Sequence, residues 1–230
     1  MARVRWGLVL LVFLALGGGA TSALGVDLTG AYLGGNFGRA QNKYDTASNI
    51  DSQIVTEAEN AGDTLTFTAR STRDLSDAWW VNAGYFLNSY VGFDAAFFHL
   101  GELKYEAVGT LTDIFGGKQS LYTTSTVNSH GPAVSLILRL PLTEEFALDL
   151  RLGDYYGKTT FTNSITVGST TNSETVSPST SSLLAGVGAS YAFAGHWSVR
   201  LDYLRVNKTG DSQTGRFSVN LASAGVSFTF

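Results

Sequence analysis

The feature that most constrains the fold of this chain is a period-two alternation of apolar residues with small or polar ones. It recurs in segments of about ten residues, joined by connections that are alternately very short and very long. A period of two indicates β-strands whose side chains point to opposite faces. Segments separated by two or three residues must pair as antiparallel hairpins. The sequence therefore predicts about eight antiparallel strands in up-and-down order.

The clearest hairpin joins "SDAWWVNAGYFL" (76–87) to "VGFDAAFFHL" (91–100) through the turn "NSY". On the first run Trp79 and Val81 alternate with Trp80 and Asn82. Later hairpins turn at "LTEE" (142–145) and "AGH" (194–196). Three long polar stretches (40–76, 101–129 and 158–182) are interpreted as connections, and the third is expected to continue its flanking strands as a polar ribbon.

The composition of the two strand faces decides between architectures. Alternation alone also fits a soluble β-sandwich, with one face on a core and the other in water. Here one face is apolar throughout, while the other carries mainly small residues, namely Gly84, Gly92, Ala96, Ala133, Gly153, Gly186, Gly188 and Ala192. Small residues suit the inside of a narrow closed barrel, and a continuous apolar outer face suits lipid. We predict an all-β fold, a closed antiparallel up-and-down transmembrane β-barrel of about eight strands.

The N-terminus is predicted to be a signal peptide over 1–25, which leaves 26–230 as the outer-membrane β-barrel domain. Arg3 and Arg5 precede a short apolar run, Leu8 to Leu16, which small residues follow. The run is shorter than the ~20 residues that a membrane helix needs. The chain has no cysteine, so thiol chemistry is excluded, and its net charge of −4 disfavours nucleic acid as a partner.

Six charged residues interrupt the small-residue face, and their charges balance. They are Asp94, Asp149 and Asp202 against Arg139, Arg151 and Arg200. Charges inside a barrel must be paired, because a lone buried ion is very costly. If the "LTEE" turn sets the register, Arg139 and Asp149 lie within diagonal cross-strand reach. We interpret the six as a structural interior charge network, with a proton or ion relay as the alternative.

Aromatic residues cluster where strands meet the short turns, which is typical of a girdle at a bilayer interface. The set includes Tyr85, Tyr90, Phe193 and Trp197. The final run, "SAGVSFTF", places Val226, Phe228 and Phe230 on one face. Three earlier apolar residues of that strand (Phe217, Val219 and Leu221) have the opposite parity. Either a β-bulge near Ser223-Ala224 flips the phase, which we favour slightly, or the three point inward near the outer mouth.

The signal peptide, "GAYLGGNFGR", "AGYFLNSYVGFDAAF" and the closing "AGVSFTF" together resemble small outer-membrane β-barrels of the OmpA-type transmembrane domain and opacity-like group. The resemblance implies a Gram-negative outer-membrane location with short turns in the periplasm. It also implies that the barrel assembly machinery recognises Val226, Phe228 and Phe230. The chain departs from the family in two respects: no peptidoglycan-binding domain is expected after the barrel, and Thr229 replaces the usual basic residue.

The expected function is a structural or surface-interaction role for a monomer with a plugged interior, without enzymatic activity, cofactor or metal site. Its expected partners are outer-membrane lipid, lipopolysaccharide and an unidentified extracellular ligand of the long loops. A narrow channel or small-solute transporter is the alternative, and a lipid A-modifying enzyme a weaker one. The enzyme hypothesis would use His99 or His130, which flank one loop, with Ser129 or Ser135. Acidic residues of the first loop are candidates for divalent cations, namely Asp45, Asp51, Glu57, Glu59 and Asp63.

Overall fold

The structure is a computed structural model that describes residues 29–43, 62–210 and 217–230, together with single residues between 52 and 60. The predicted signal peptide, 1–25, lies outside the described residues, as do Asp45, Asp51 and Glu57 of the first acidic stretch. Within the described part, no helix has the length and apolar character needed to cross a membrane.

In the described part of the chain, ten β-strands form one antiparallel sheet. Their bounds are β1 Gly30–Lys43, β2 Thr64–Arg73, β3 Leu75–Phe86, β4 Val91–Thr112, β5 Lys118–Pro141, β6 Phe146–Val167, β7 Thr170–Val176, β8 Ser179–Ala194, β9 Trp197–Thr209 and β10 Phe217–Thr229. Eight of them (β1, β3, β4, β5, β6, β8, β9 and β10) pair in sequence order around a ring. The predicted strand number and up-and-down order are confirmed.

Pairing between the first and last strands closes the ring. β1 pairs with β3 on one side and with β10 on the other, over an unbroken register from Tyr32↔Thr229 to Lys43↔Ser218. Gly38 permits this seam, because a Cβ there would collide with the backbone oxygen of Ala222. The closed ring shows that the chain is a β-barrel and not a two-sheet sandwich.

The two faces of the barrel strands match the sequence prediction. Leu33, Phe37, Val81 and Val134 are exposed on the outside, and each lies between neighbours that point inward. The predicted small-residue face lies inside the barrel. Its buried residues include Gly84, Gly92, Ala96 and Ala133. Side-chain direction therefore follows the alternation of the strands.

Beyond the ring, the strands at the long-connection end continue as an outer sheet of five strands in the order β2-β4-β5-β6-β7. The stretch 101–129, predicted to be a loop, is instead strand on both sides of a turn at 113–117. The polar ribbon predicted within 158–182 is confirmed as the β6–β7 hairpin. Alternate residues of the outer sheet pack into a second apolar cluster, which contains Tyr105, Ala107, Leu121, Leu65, Phe67, Phe161, Ile165 and Val167.

One β-bulge lies in β4, at the junction between barrel and outer sheet. The β4–β5 register shifts between His99 and Glu102, where Leu100 and Gly101 are both buried and Gly101 has φ 75°. The bulge that we favoured near Ser223-Ala224 was wrong, because β10 pairs without a shift from Val219 to Phe228. The alternative prediction, that the three earlier apolar residues of this strand point inward, is correct.

Residues Phe217, Val219 and Leu221 therefore point inward near the outer mouth. There they join the main apolar cluster, which also contains Trp80, Phe98, Tyr155, Leu184 and Leu204. Bulky residues can occupy the inward positions of β10 because the strands around this level contribute Ala40 and Ala78, which take little space. The phase change in hydrophobicity along β10 marks a change in what fills the barrel, from polar groups to apolar ones.

Candidate functional site: the charged interior of the barrel

All six residues of the predicted interior charge network point into the barrel and are at least nine-tenths buried. They come from four strands, with Asp94 on β4, Arg139 on β5, Asp149 and Arg151 on β6, and Arg200 and Asp202 on β9. Three positive and three negative groups share this space, which meets the requirement that buried charges be paired.

The pair formed by Arg139 and Asp149 is the best aligned. The two residues face each other directly across β5 and β6, rather than diagonally as we expected. Arg139 Nε donates to Asp149 Oδ1 at 2.8 Å and Nη2 donates to Oδ2 at 3.0 Å. Two parallel N–H···O bonds of this kind are the strong arrangement for a guanidinium and a carboxylate.

Asp94 is the centre of a second group. Its Oδ2 atom forms an ion pair with Arg151 Nη1 and accepts hydrogen bonds from Tyr32 Oη at 3.2 Å and Asn82 Nδ2 at 3.0 Å. The sequence prediction did not include Tyr32 or Asn82. Both share the inward parity of the small-residue face, and that parity was the signal that could have identified them.

Arg200 links two carboxylates of the interior. Its Nη2 atom lies 3.3 Å from Asp202 Oδ1 and 3.8 Å from Asp149 Oδ2. Arg139, Asp149, Arg200 and Asp202 thus form one connected chain of charges, beside the Asp94 group. Removing any member leaves another charge without its full set of partners.

Apolar side chains lie on the outer side of the charges. Trp80 and Phe98 stack with ring centroids 5.2 Å apart, and Phe98 meets Tyr155 edge-on at 6.1 Å. All three are completely buried. They occupy inward positions of β3, β4 and β6 that are closer to the outer mouth than Asn82, Asp94 and Arg151 on the same strands.

A smaller apolar cluster lies at the short-turn end of the interior. It consists of Tyr32, Phe86 and Ile137. The Arg139 guanidinium carbon lies 3.9 Å from the centroid of the Phe86 ring, so this cation contacts an aromatic face as well as Asp149. A guanidinium over a ring face is stabilised by the ring quadrupole.

The histidine and serine candidates are divided between the two faces of the barrel wall. His99 and His130 are direct cross-strand partners and lie outward, where His99 stacks on Trp79 at 5.7 Å. Ser129 and Ser135 are buried on the inward face, and the Ser129 hydroxyl is bonded to Tyr155 Oη at 2.9 Å. The structure therefore brings the two histidines together, as we expected, but does not assemble a Ser–His pair from these residues.

The predicted interfacial aromatics are all exposed at the short-turn end, namely Tyr85, Tyr90, Phe193 and Trp197. Val226 and Phe230 are also exposed there, while Phe228 lies between the rings of Trp197 at 5.0 Å and Phe230 at 5.2 Å. Among the residues that the structure describes, no group of three or more His, Cys, Asp or Glu side chains could hold a metal ion.

The family model of the OmpA-like transmembrane domain matches residues 28–230. The chain belongs to this family. A curated relative is Outer membrane protein A of Yersinia pseudotuberculosis, which is 27% identical over 204 residues that cover 86% of this chain and 48% of that protein. The chain therefore spans about half the length of the curated relative it matches.

The chain is also similar to two solved structures. One is Neisserial surface protein A, with 13% identity, a TM-score of 0.46 and coverage of 88% of this chain and 98% of that one. The other is the attachment invasion locus protein of Yersinia pestis, with 13% identity, a TM-score of 0.44 and coverage of 87% and 99%. Family membership makes this chain a Gram-negative outer-membrane β-barrel protein, so its outward apolar face contacts lipid.

Proposed function

We propose that this barrel has a structural and surface-interaction role in the outer membrane, that its interior does not conduct ions, and that it is not an enzyme. One observation carries the proposal. Each of the six interior charges has an oppositely charged partner among the others, and an apolar cluster that includes Trp80, Phe98 and Tyr155 lies between them and the outer mouth. The outer sheet then provides the surface for interactions.

The physical reason is the cost of moving an ion through this interior. A passing ion would lose its water at the stacked Trp80 and Phe98 rings, which offer no charged partner. Further in, it would have to separate Arg139 from Asp149 or Arg151 from Asp94, and each separation exposes an unpaired buried charge. A barrel of about eight strands is just wide enough for side chains to fill it.

Planar-bilayer recordings test the proposal, and the chain offers a matched control. We expect no steady conductance from the wild-type protein and a measurable conductance from the double variant Trp80→Ala, Phe98→Ala, which removes the inward rings. The control is Trp79→Ala, Phe97→Ala, which removes the adjacent outward rings and should stay silent. A steady conductance of the wild-type protein would contradict the proposal.

A narrow channel is the second candidate, and one observation favours it. Within the described residues, several buried polar atoms of the interior have no hydrogen-bond partner, namely Asp94 Oδ1, Arg151 Nε and Nη2, Arg200 Nε and Asp202 Oδ2. Such atoms could line a polar path. The channel hypothesis requires a cation-to-anion selectivity in the wild type that changes when Asp94→Asn removes one negative charge.

The absence of enzymatic activity has its own test. Expression of the protein in an outer membrane should leave the mass of lipid A unchanged. A mass shift that His130→Ala abolishes would show an enzyme.

The proposal that the assembly machinery recognises the closing strand predicts slower assembly for Phe230→Ala than for Phe193→Ala. Phe193 is an exposed aromatic residue at the same end of the barrel but outside that strand.

A further inference from the structure

The outward surface of β5 and β6 changes character in three zones along unbroken strands. The β5–β6 pairing keeps one register from Leu121↔Val167 to Pro141↔Ala147, so the same parity faces outward throughout. The first zone is apolar and faces lipid, with Val134, Leu138 and Leu140 on β5 and Leu148, Leu150 and Leu152 on β6.

The second zone is a short row of three basic side chains at the outer edge of the apolar zone, which we call the basic row. His99 pairs with His130, and His130 pairs with Lys158, so three adjacent strands each contribute one nitrogen-bearing side chain at neighbouring positions. Strands lie about 4.8 Å apart, so these side chains can reach a single anionic group. An imidazole N–H and an ammonium both donate hydrogen bonds, which suits the oxygens of a phosphate.

The third zone, which we call the hydroxyl face, is the outward side of β5, β6 and β7 in the outer sheet. Its members are Thr124, Thr126 and Asn128 on β5, Thr160, Thr162, Ser164 and Thr166 on β6, and Thr171, Ser173 and Thr175 on β7. The register places them in rows, such as Thr126↔Thr162↔Thr175 and Thr124↔Ser164↔Ser173.

The hydroxyl face is an ordered polar lattice. Hydroxyl groups bond across β6 and β7 in the pairs Thr162–Thr175 at 3.1 Å and Thr166–Thr171 at 2.9 Å. None of its ten members is charged. Each hydroxyl both donates and accepts hydrogen bonds, so the face is complementary to the hydroxyl groups of a saccharide and poorly suited to an apolar or an anionic partner.

In the described part of the chain, charged residues border this face on β4, at Lys118 near the outer end of β5 and at Lys158 of the basic row on β6. Lys104 Nζ lies 2.9 Å from Glu106 Oε1, which also accepts a hydrogen bond from Tyr122 Oη at 2.8 Å. That carboxylate is therefore already partnered, and Glu102 is the other β4 carboxylate on the same side. Below the basic row, Asp154 accepts a hydrogen bond from Ser181 at 2.6 Å.

We propose that this continuous surface binds a phosphorylated glycolipid of the outer leaflet. Acyl chains would lie on the apolar zone, a phosphate on His130, Lys158 and His99, and the saccharide along the hydroxyl face. The order of the three zones supports this occupant, because an outer-leaflet glycolipid presents tail, phosphate and sugar in the same order outward from the bilayer. The inference rests on the proposed surface-interaction role and on the orientation in which the outer sheet lies outside the cell.

Native mass spectrometry of the folded full chain in detergent micelles tests the phosphate site, with bisphosphorylated lipid A as the probe. We expect Lys158→Met to weaken binding about fivefold, the effect of one cationic group near a charged lipid surface. His130→Ala removes one hydrogen-bond donor and should weaken binding about threefold. Lys158→Arg should retain binding, and it keeps the test decisive if Lys158→Met folds poorly. Dephosphorylated lipid A should bind the wild type no better than it binds Lys158→Met.

Arg205→Met is the matched control, since Arg205 is an exposed cation of β9 outside the row. It should bind lipid A like the wild type. Equal weakening by Arg205→Met and Lys158→Met would overturn the site, because only net charge would then matter. Full competition by inorganic phosphate at the lipid concentration would overturn the lipid as occupant.

The hydroxyl face has a separate test with lipopolysaccharide that carries its full saccharide. The double variant Thr126→Val, Thr162→Val keeps strand shape but removes two hydroxyls, and should weaken binding of lipopolysaccharide about threefold without affecting lipid A. Thr66→Val on β2 is the control. An equal effect on both ligands, or none, would overturn the saccharide assignment. Because conductance does not enter these measurements, failure of this inference is distinguishable from failure of the proposed closed interior.

Discussion

Two ion pairs of nearly equal length lie in very different surroundings in this protein. Arg139 and Asp149 approach to 2.8 Å inside the barrel, where their side chains are 7% and 3% exposed. Lys104 and Glu106 approach to 2.9 Å on the outer sheet, where theirs are 40% and 35% exposed. Distance does not separate the two pairs, but solvation does. Removing one member of a buried ion pair leaves the other charge without water or a partner. Removing one member of an exposed pair leaves the other charge hydrated.

The same contrast holds between the two regions as a whole. The barrel closes on itself, so every crossing strand has two neighbours. Among the described strands of the outer sheet, β2 and β7 each have one neighbour, and the apolar cluster of this sheet is only partly buried. Stability should therefore depend more on the side chains of the barrel interior than on those of the outer sheet.

The two largest effects that we predict come from carboxylates of the barrel interior, and the first of these is Asp94. Asp94→Asn should destabilise the folded protein by about 3 kcal/mol, because Arg151 would stay buried without its counter-charge. Denaturant titration in micelles, followed by the gel mobility of the folded form, measures this. Asp77→Asn is the control, since Asp77 pairs with Arg39 at 3.2 Å while 66% exposed. Similar losses for both variants would contradict the contrast between interior and surface.

A double substitution tests whether the interior pairs are needed for stability itself. Asp149→Leu alone should cost about 3 to 5 kcal/mol, and adding Arg139→Met should recover most of it, leaving a net cost of about 1 kcal/mol. The recovery is expected because Arg200 still has Asp202 at 3.3 Å. The same unfolding measurement applies to all three proteins. No recovery in the double variant would mean that the pair itself, and not the avoidance of an unpaired charge, provides the stability.

Much of the barrel could be predicted because its strands obey one rule, the alternation of inward and outward side chains. Alternation assigned Asp94, Asp149 and Arg200 to the inside without any knowledge of their partners, and the short turn at 142–145 brought Arg139 close to Asp149. The Asp94–Arg151 pair could not be predicted, because β5 separates the two strands in the chain and its register depends on the long hairpin between β4 and β5.

The outer sheet and the phase of β10 show where the rule fails. Polar stretches such as 118–129 are strands because every second residue packs inward, and that signal is weak when the packed residues include Thr123 and Ser125. On β10 we placed a bulge where the hydrophobic phase changes. The phase changes instead because the barrel contents change from charged to apolar, so Leu221 and Val219 are inward like Ser223.

The junction between the two regions gives a prediction of intermediate size. Gly101→Ala should cost about 2 kcal/mol, because φ is positive there and a Cβ would collide with the Ser76 hydroxyl. Gly116→Ala has a similar φ of 83° but open space around its Cβ, and should cost about 1 kcal/mol. Denaturant titration of both variants isolates the packing contribution of the bulge. Equal costs would show that the bulge is not tightly packed.

The smallest effect should come from the exposed pair of the outer sheet. The Lys104 ammonium and the Tyr122 hydroxyl hold the pKa of the Glu106 carboxyl below its usual value. A lowered pKa favours folding at neutral pH, and the contribution disappears as the pH falls through that pKa. Lys104→Met should raise the Glu106 pKa towards its usual value in an NMR titration without measurably changing the unfolding free energy, because the pair is open to solvent. A loss of stability as large as that of Asp94→Asn would remove the distinction between the two regions, since an exposed pair would then matter as much as a buried one.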